Sequence, residues 1–195
     1  MDRKTPPQTT PVLVYSPMAR MFHWLTVALV ATMIPLGFYM VWRGETTRFD
    51  ALTARLYETH KLLGFVVLAL VVLRLGYRLN KGAPADEPTL EWWQKAAAHL
   101  THWGLYGLLL LVPLLGWIGI SKYAEGTTLI FNTIRVPRLS SVDADTAQVV
   151  FTYHLYGAVL LLLLIGAHIG AAVFHHAIRK DGVLRRMLPN LKQRP

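Results

Sequence analysis

The sequence predicts an all-α fold: an integral membrane four-helix bundle with both termini cytoplasmic. Three observations predict it. Apolar residues make up 53% of the chain and gather in four long runs, the pattern of membrane-crossing helices of about 20 residues each. Polar connections bearing Pro or Gly separate the runs. Basic residues divide unequally between alternate connections, as they do where positive loops are retained inside. A length of 195 residues fits one compact domain.

Residues 1–17, rich in Pro and Thr, carry no periodic pattern and read as a mobile amino tail. The first span runs from Phe22 to Met40. It is longer than the core of a signal peptide, and no small-residue cleavage pattern follows it before Trp42-Arg43. His23-Trp24 stands at its start, and Pro35 predicts a kink. Trp42 to Thr59 reads as a polar connection, and the second span runs from about His60 to Leu79, with Arg74 and Arg78 toward its far end. Asn80 to Glu91, with Gly82, Pro84 and Pro88, reads as a loop. Leu90 to Trp103 is amphipathic and aromatic, as a helix at or entering an interface would be. The third span continues to about Ile120, with Pro113 inside it. Ser121 to about Gln148 is the longest connection; it holds Gly126, Pro137, and two acids, Asp143 and Asp145, suited to capping the next helix. The fourth span is Val149 to about Ile178, and a basic carboxyl tail follows, ending in residues 190–195. Residues 18–189 form the predicted membrane domain.

The net charge of +9 has a membrane explanation. The amino tail, the second connection and the carboxyl tail together hold 13 of the 20 Lys and Arg residues. The other side holds seven: Arg43, Arg48, Arg55, Lys61, Lys122, Arg135 and Arg138. The side with 13 is therefore cytoplasmic. No nucleic-acid motif competes with membrane lipid as the partner of this charge.

His154 and His168 lie 14 residues apart in an otherwise apolar run. On a helix this is a rise of about 21 Å and four turns less about 40°, so both imidazoles share one face. Titratable side chains at membrane depth are costly and mark function. Once the orientation is set, depth pairs them: His60 with His154 at the outer level, His23 with His168 at the inner level. Each pair takes one member from the fourth helix, an arrangement suited to two bis-histidine haems in a four-helix bundle. A di-iron site needs carboxylates inside the spans, and none is found there. Zinc or copper needs three or four convergent ligands. With no cysteine in the chain, disulfides, thiolate metal sites and covalent haem attachment are excluded, so the cofactors expected are two non-covalent b haems.

Arg74 is 14 residues after His60, which places it at the inner level. There it either pairs with a haem propionate or snorkels to the headgroups. Gly64, Gly157, Gly166 and Gly170 adjoin the ligand histidines, leaving space for a porphyrin or for close helix contact. His99, His102, His175 and His176 lie at the inner boundary. Each is either a solvated interfacial residue or a quinone contact, a proton relay or a substitute inner ligand. The outer cations Lys61, Lys122, Arg135 and Arg138 either steer an anion inward or are solvated loop charges.

The segments Arg20-Met21-Phe22-His23-Trp24, His60-Lys61-Leu62-Leu63-Gly64 and Ala98-His99-Leu100-Thr101-His102, the His154/His168 interval, and the ending Phe174-His175-His176 with Arg185-Arg186-Met187-Leu188-Pro189 resemble the bacterial cytochrome b561 family. That family is related to the b-type cytochrome subunits of nickel-dependent hydrogenases. The resemblance covers roughly Tyr15 to Pro189. It implies the ligands His23, His60, His154 and His168, two b haems, and a multi-pass protein of the bacterial inner membrane. Family members exchange electrons with quinone, and some oxidise superoxide at the outer face. The expected function is a di-haem cytochrome linking a small periplasmic-side partner, superoxide foremost, to the quinone pool. It would be an oxidoreductase or a pure electron carrier. The alternatives are a membrane-anchor electron-transfer subunit for a periplasmic dehydrogenase or other redox partner, docking through the Ser121–Gln148 loop, and a non-redox transporter or adaptor.

Overall fold

The computed structural model describes residues 14–123 and 128–188. Most of the predicted amino tail (1–13), Gly126 and the end of the carboxyl tail lie outside the described residues. Four long helices, α1 (Pro17–Thr46), α2 (Ala51–Lys81), α3 (Trp92–Tyr123) and α4 (Ala144–Phe174), form the bundle. Each is long and apolar enough to cross a membrane. A two-stranded hairpin, β1 (Thr128–Ile130) and β2 (Ile134–Val136), lies between α3 and α4.

Local chemistry explains the helix ends. Ser16 Oγ accepts from Ala19 N at 3.2 Å, and Pro17 occupies the first turn, where its missing N–H costs nothing. Asp50 Oδ1 caps α2 through Thr53 N at 2.9 Å. The predicted polar connection Trp42–Thr59 therefore shrinks to residues 47–50. A helix of 30 residues is about 45 Å long, against a hydrocarbon core of about 30 Å. The extra turns carry polar residues into the headgroup layer, where they stay helical. Of the two placements the sequence leaves for the aromatic segment Leu90–Trp103, at an interface or entering it, the structure takes the second. From Trp92 the segment is the first part of α3, started by Gln94 Oε1 accepting from Glu91 N at 3.0 Å. Gly82 ends α2 with φ +73°, a conformation glycine adopts without strain. Asp143 caps α4 through Thr146 N.

The helices pack in the order α1–α2–α3–α4, with α3 against α4 the most extensive contact. One small core holds them: Val30 of α1, Val67 and Val71 of α2, Tyr106 and Leu109 of α3, and Leu161 of α4. The remaining apolar surface faces outward. Leu73 is 61% exposed and Leu163 65%, which in a bilayer is contact with lipid rather than a cost. On α4 only Ala147 and Leu161 are buried.

The hairpin was not foreseen in the Ser121–Gln148 connection. Its strands pair antiparallel, Thr128 with Val136 and Ile130 with Ile134. Phe131 and Asn132 turn the chain at φ +51° and +56°. Phe131 N donates to Glu58 Oε2 on α2 at 3.0 Å, and Trp117 Nε1 donates to Pro137 O at 2.8 Å. These bonds pin the connection across one end of the bundle, with Ile130 and Val136 buried beneath it. At the opposite end the carboxyl-terminal segment folds back over the helix ends. Arg20 Nη1 donates to Leu188 O at 2.8 Å, Trp24 Nε1 to Met187 O at 3.0 Å, and Arg186 Nη2 to Ala85 O at 2.5 Å. Helix α4 reaches this end through a π-helical turn, His175–Arg179.

Candidate haem-binding site

Four imidazoles meet inside the bundle in two pairs. Toward the hairpin end, His60 of α2 faces His154 of α4, with ring centroids 6.1 Å apart and planes at 79°. Toward the termini end, His23 of α1 faces His168 of α4, at 6.3 Å and 70°. Two imidazoles opposed across one metal, with bonds of about 2.0–2.1 Å and ring centres roughly 1.1 Å behind the nitrogens, have centroids about 6.3 Å apart. Both pairs therefore have the spacing of axial ligand pairs. Among the described residues no cluster of three or more His, Cys, Asp or Glu is placed to hold a metal ion. The donor sets fit two-ligand haem iron and not zinc or a di-iron centre.

The surroundings of His154 fit this chemistry further. Its Nδ1–H donates to Val112 O at 2.8 Å. That bond fixes the tautomer and leaves the Nε2 lone pair for a ligand, the usual state of a metal-binding histidine. The backs of two imidazoles rest on glycines from neighbouring helices. A Cβ at Gly116 of α3 would lie 3.2 Å from His154 Cε1, and one at Gly37 of α1 would lie 3.2 Å from His60 Cε1. His60 Nδ1 is buried without a hydrogen-bond partner. Of the glycines singled out by sequence, Gly166 and Gly170 have no atom within 4 Å of a would-be Cβ; each is two residues from His168, so both are exposed on a different face of α4 from its imidazole. At Gly157 a Cβ would meet Val112 Cγ2 at 3.0 Å, so this glycine serves the close approach of α3 and α4.

Arg74 lies at the level the 14-residue spacing predicts. Its Nη2 donates to His23 Nδ1 at 3.0 Å, and its guanidinium sits 5.2 Å over the Tyr106 ring. Arg78, one turn on, lies over Trp103 at 5.9 Å and Tyr106 at 5.7 Å. Among the described residues neither arginine has a carboxylate partner; the ion pairs are Arg43–Asp50, Lys61–Glu58, His99–Asp86 and His175–Asp181.

The boundary histidines separate into different settings. His99 is exposed and pairs with Asp86 at 3.2 Å. His175 donates through Nδ1 to a buried Asp181 at 2.6 Å, tying the π-helical turn to the segment after it. His102 joins the termini-end pair, its ring 5.4 Å from that of His168. Among the hairpin-end cations, Lys61 is paired with Glu58 at 2.5 Å, so much of its charge is compensated locally.

Sequence reasoning missed Gly37, Gly116 and the Val112 carbonyl. Each acts on a histidine of another helix, so only helix packing brings them to the site.

The family profile described as prokaryotic cytochrome b561 matches residues 14–190. Cytochrome b561 homolog 1 of Escherichia coli (strain K12) is 33% identical over 170 residues, covering 87% of this chain and 94% of the relative. A Yersinia pestis protein named "Probable superoxide oxidase CybB" is 30% identical over 172 residues, covering 86% and 91%. Cytochrome b562 of Cereibacter sphaeroides is 29% identical over 170 residues, covering 85% and 89%. With four membrane-crossing helices and histidines opposed inside them, the chain belongs to the prokaryotic cytochrome b561 family, multi-pass b-type haem proteins of the bacterial inner membrane.

Proposed function

We propose that the chain holds two b haems, one between His60 and His154 and one between His23 and His168. It passes electrons between a small partner on the hairpin side and the quinone pool. The observation that supports this best is that α4 contributes one imidazole to each of two pairs, about 21 Å apart along the helix. The 13 Lys and Arg residues assigned to the termini end orient that end to the cytoplasm, with residues 18–189 as the membrane domain.

When bound, haem supplies reversible one-electron chemistry. The chain's residues hold and tune it. His154, tied to Val112 O, presents Nε2 in a fixed direction. In this structure His23 Nδ1 accepts from Arg74, which leaves the proton on Nε2. Ligation through Nε2 requires Arg74 to release that nitrogen, and a haem propionate is the anion the guanidinium then meets bidentately.

Superoxide is the donor we favour. The Yersinia pestis relative carries that activity in its name, and Lys122, Arg135 and Arg138 give the hairpin end positive charge toward a small anion. Each superoxide gives up one electron and leaves as dioxygen. Two such electrons and two protons convert a quinone to its quinol. A second reading, an electron-transfer anchor for a periplasmic redox subunit, draws on the exposed hairpin tip, where Phe131 is 45% and Ile134 48% exposed.

The test is haem quantitation on the purified protein together with stopped-flow reduction. The proposal expects two haems per chain, reduced by superoxide and reoxidised by a quinone. One haem per chain contradicts the paired sites. Two haems inert to superoxide, with a redox subunit co-purifying in stoichiometric amount, supports the anchor reading instead.

A further inference from the structure

We infer that His102 is the positioning residue of the termini-end site: it accepts a hydrogen bond from His168 Nδ1 and tunes the haem that His168 binds. The inference rests on the reading of His168 as an axial ligand.

Two observations carry it. The first is a parallel between the two ligands of α4. His154 is held from α3, by the Val112 carbonyl. His168 is also flanked from α3, by His102. Moving from one ligand to the other takes 14 residues along α4, about 21 Å, and the 10 residues from Val112 back to His102 cover about 15 Å of the antiparallel α3. The remaining ~6 Å is roughly the reach of a histidine side chain, which leans toward the N-terminus of its own helix and here toward the His168 level. One helix thus supplies the outer partner of both ligands, with a carbonyl in one case and an imidazole in the other.

The second observation is the ring spacing. An N–H···N contact of about 2.9 Å, with ring centres roughly 1.1 Å behind each nitrogen, puts two imidazole centroids about 5.1 Å apart. His102 and His168 are 5.4 Å apart with planes at 66°. His23 and His168, at 6.3 Å, have the larger span that a bridging metal requires. His23 and His102 therefore stand in two different relations to His168: ligation across iron with His23, and a hydrogen bond accepted by His102. A modest ring rotation aligns His168 Nδ1–H with a His102 nitrogen.

The chemical consequence follows from acceptor strength. A neutral imidazole nitrogen is a stronger base than an amide carbonyl oxygen. It draws more on the His168 Nδ1–H and makes Nε2 a stronger donor to iron. A stronger donor favours the ferric state, so His102 holds the potential of that haem down. The His60/His154 haem, whose ligand is tied to a carbonyl, is left unaffected.

The experiment is a spectroelectrochemical titration of the purified holoprotein, paired with haem quantitation and low-temperature EPR. His102→Phe should retain both haems, raise one midpoint potential, leave the other in place, and change one set of low-spin g-values. His102→Gln, which can offer an amide oxygen, should return the potential part of the way. Unchanged potentials in a His102→Phe protein that retains both haems would overturn the inference. Loss of one haem in both His102 variants, with both haems retained in His23→Ala, would make His102 an axial ligand instead and would also overturn it. His168→Ala tests the underlying reading separately, since it should remove one haem whatever His102 does. If it removes none, the ligand assignment itself fails.

Discussion

Substituting Gly116 by Ala tests whether α3 seats the His154 imidazole. The new Cβ would lie 3.2 Å from His154 Cε1 and 3.3 Å from Nδ1, so the ring must retreat by a few tenths of an ångström. It cannot do so freely, because its Nδ1–H is bonded to Val112 O at 2.8 Å. Overpacking costs about 1–3 kcal/mol, and weakening the hydrogen bond adds about 0.5–1.5 kcal/mol. Replacing a helical glycine returns about 1 kcal/mol. The net is a loss of about 0.5–3.5 kcal/mol at the His60/His154 level, which is roughly 2–300-fold in haem affinity if it falls wholly on the cofactor. The assay is haem content and reduced-minus-oxidised spectra during detergent dilution, with thermal melts alongside. Gly37→Ala makes a similar approach to His60, but His60 Nδ1 has no hydrogen bond to lose, so its effect should be smaller. A Gly116→Ala protein with wild-type haem content and melting, or one less affected than Gly37→Ala, would refute the reasoning.

Three other outcomes are expected. Gly166→Ala has open space around its Cβ on a different face of α4 from His168, so it should stabilise the helix by up to about 1 kcal/mol and leave haem retention unchanged. Lower haem retention in the variant than in the parent would show that a porphyrin does reach that face. Arg74→Gln should weaken the His23/His168 haem more than Arg74→Lys does, because Lys keeps the charge without the fork; haem stoichiometry measures it, and identical behaviour would argue for simple snorkelling. Acid should weaken the starts of α2 and α4. Hydrogen bonds from Thr53 to Asp50 and from Thr146 to Asp143 hold both carboxyls below their ordinary range. Their stabilising contribution is therefore full above about pH 3.9 and is lost as pH falls through the lower folded values. Asn at both positions keeps a capping oxygen but removes the titration, so the acid limb of a melting-against-pH curve should flatten.

The pairing of the four histidines was legible because it depends on distances along single helices. The interval of 14 residues fixes two levels on α4, and the same interval carries from His60 to Arg74, which the structure places against His23. Charge counting then paired levels across helices without any packing information. What could not be read depends on how helices rotate against one another. His99 and His102 are three residues apart, yet one reaches exposed Asp86 and the other reaches His168. Gly37 and Gly116 carry no sequence mark that distinguishes them from the lipid-facing glycines. The hairpin escaped because three-residue strands are too short for alternation to show, and a side-chain carboxylate 73 residues away holds its turn. Helix ends were misplaced at Trp42–Thr59, where polar composition marks the headgroup layer rather than the end of the helix.

The central claim is that α4 carries one ligand of each of two haems. The direct measurement is the low-temperature difference spectrum and haem stoichiometry of His154→Ala and His168→Ala, each purified with the parent protein. The account predicts that each variant retains one haem, that the two retained haems differ in spectrum and potential, and that His60→Ala matches His154→Ala while His23→Ala matches His168→Ala. Loss of the same haem in both α4 variants, or of neither, would contradict it.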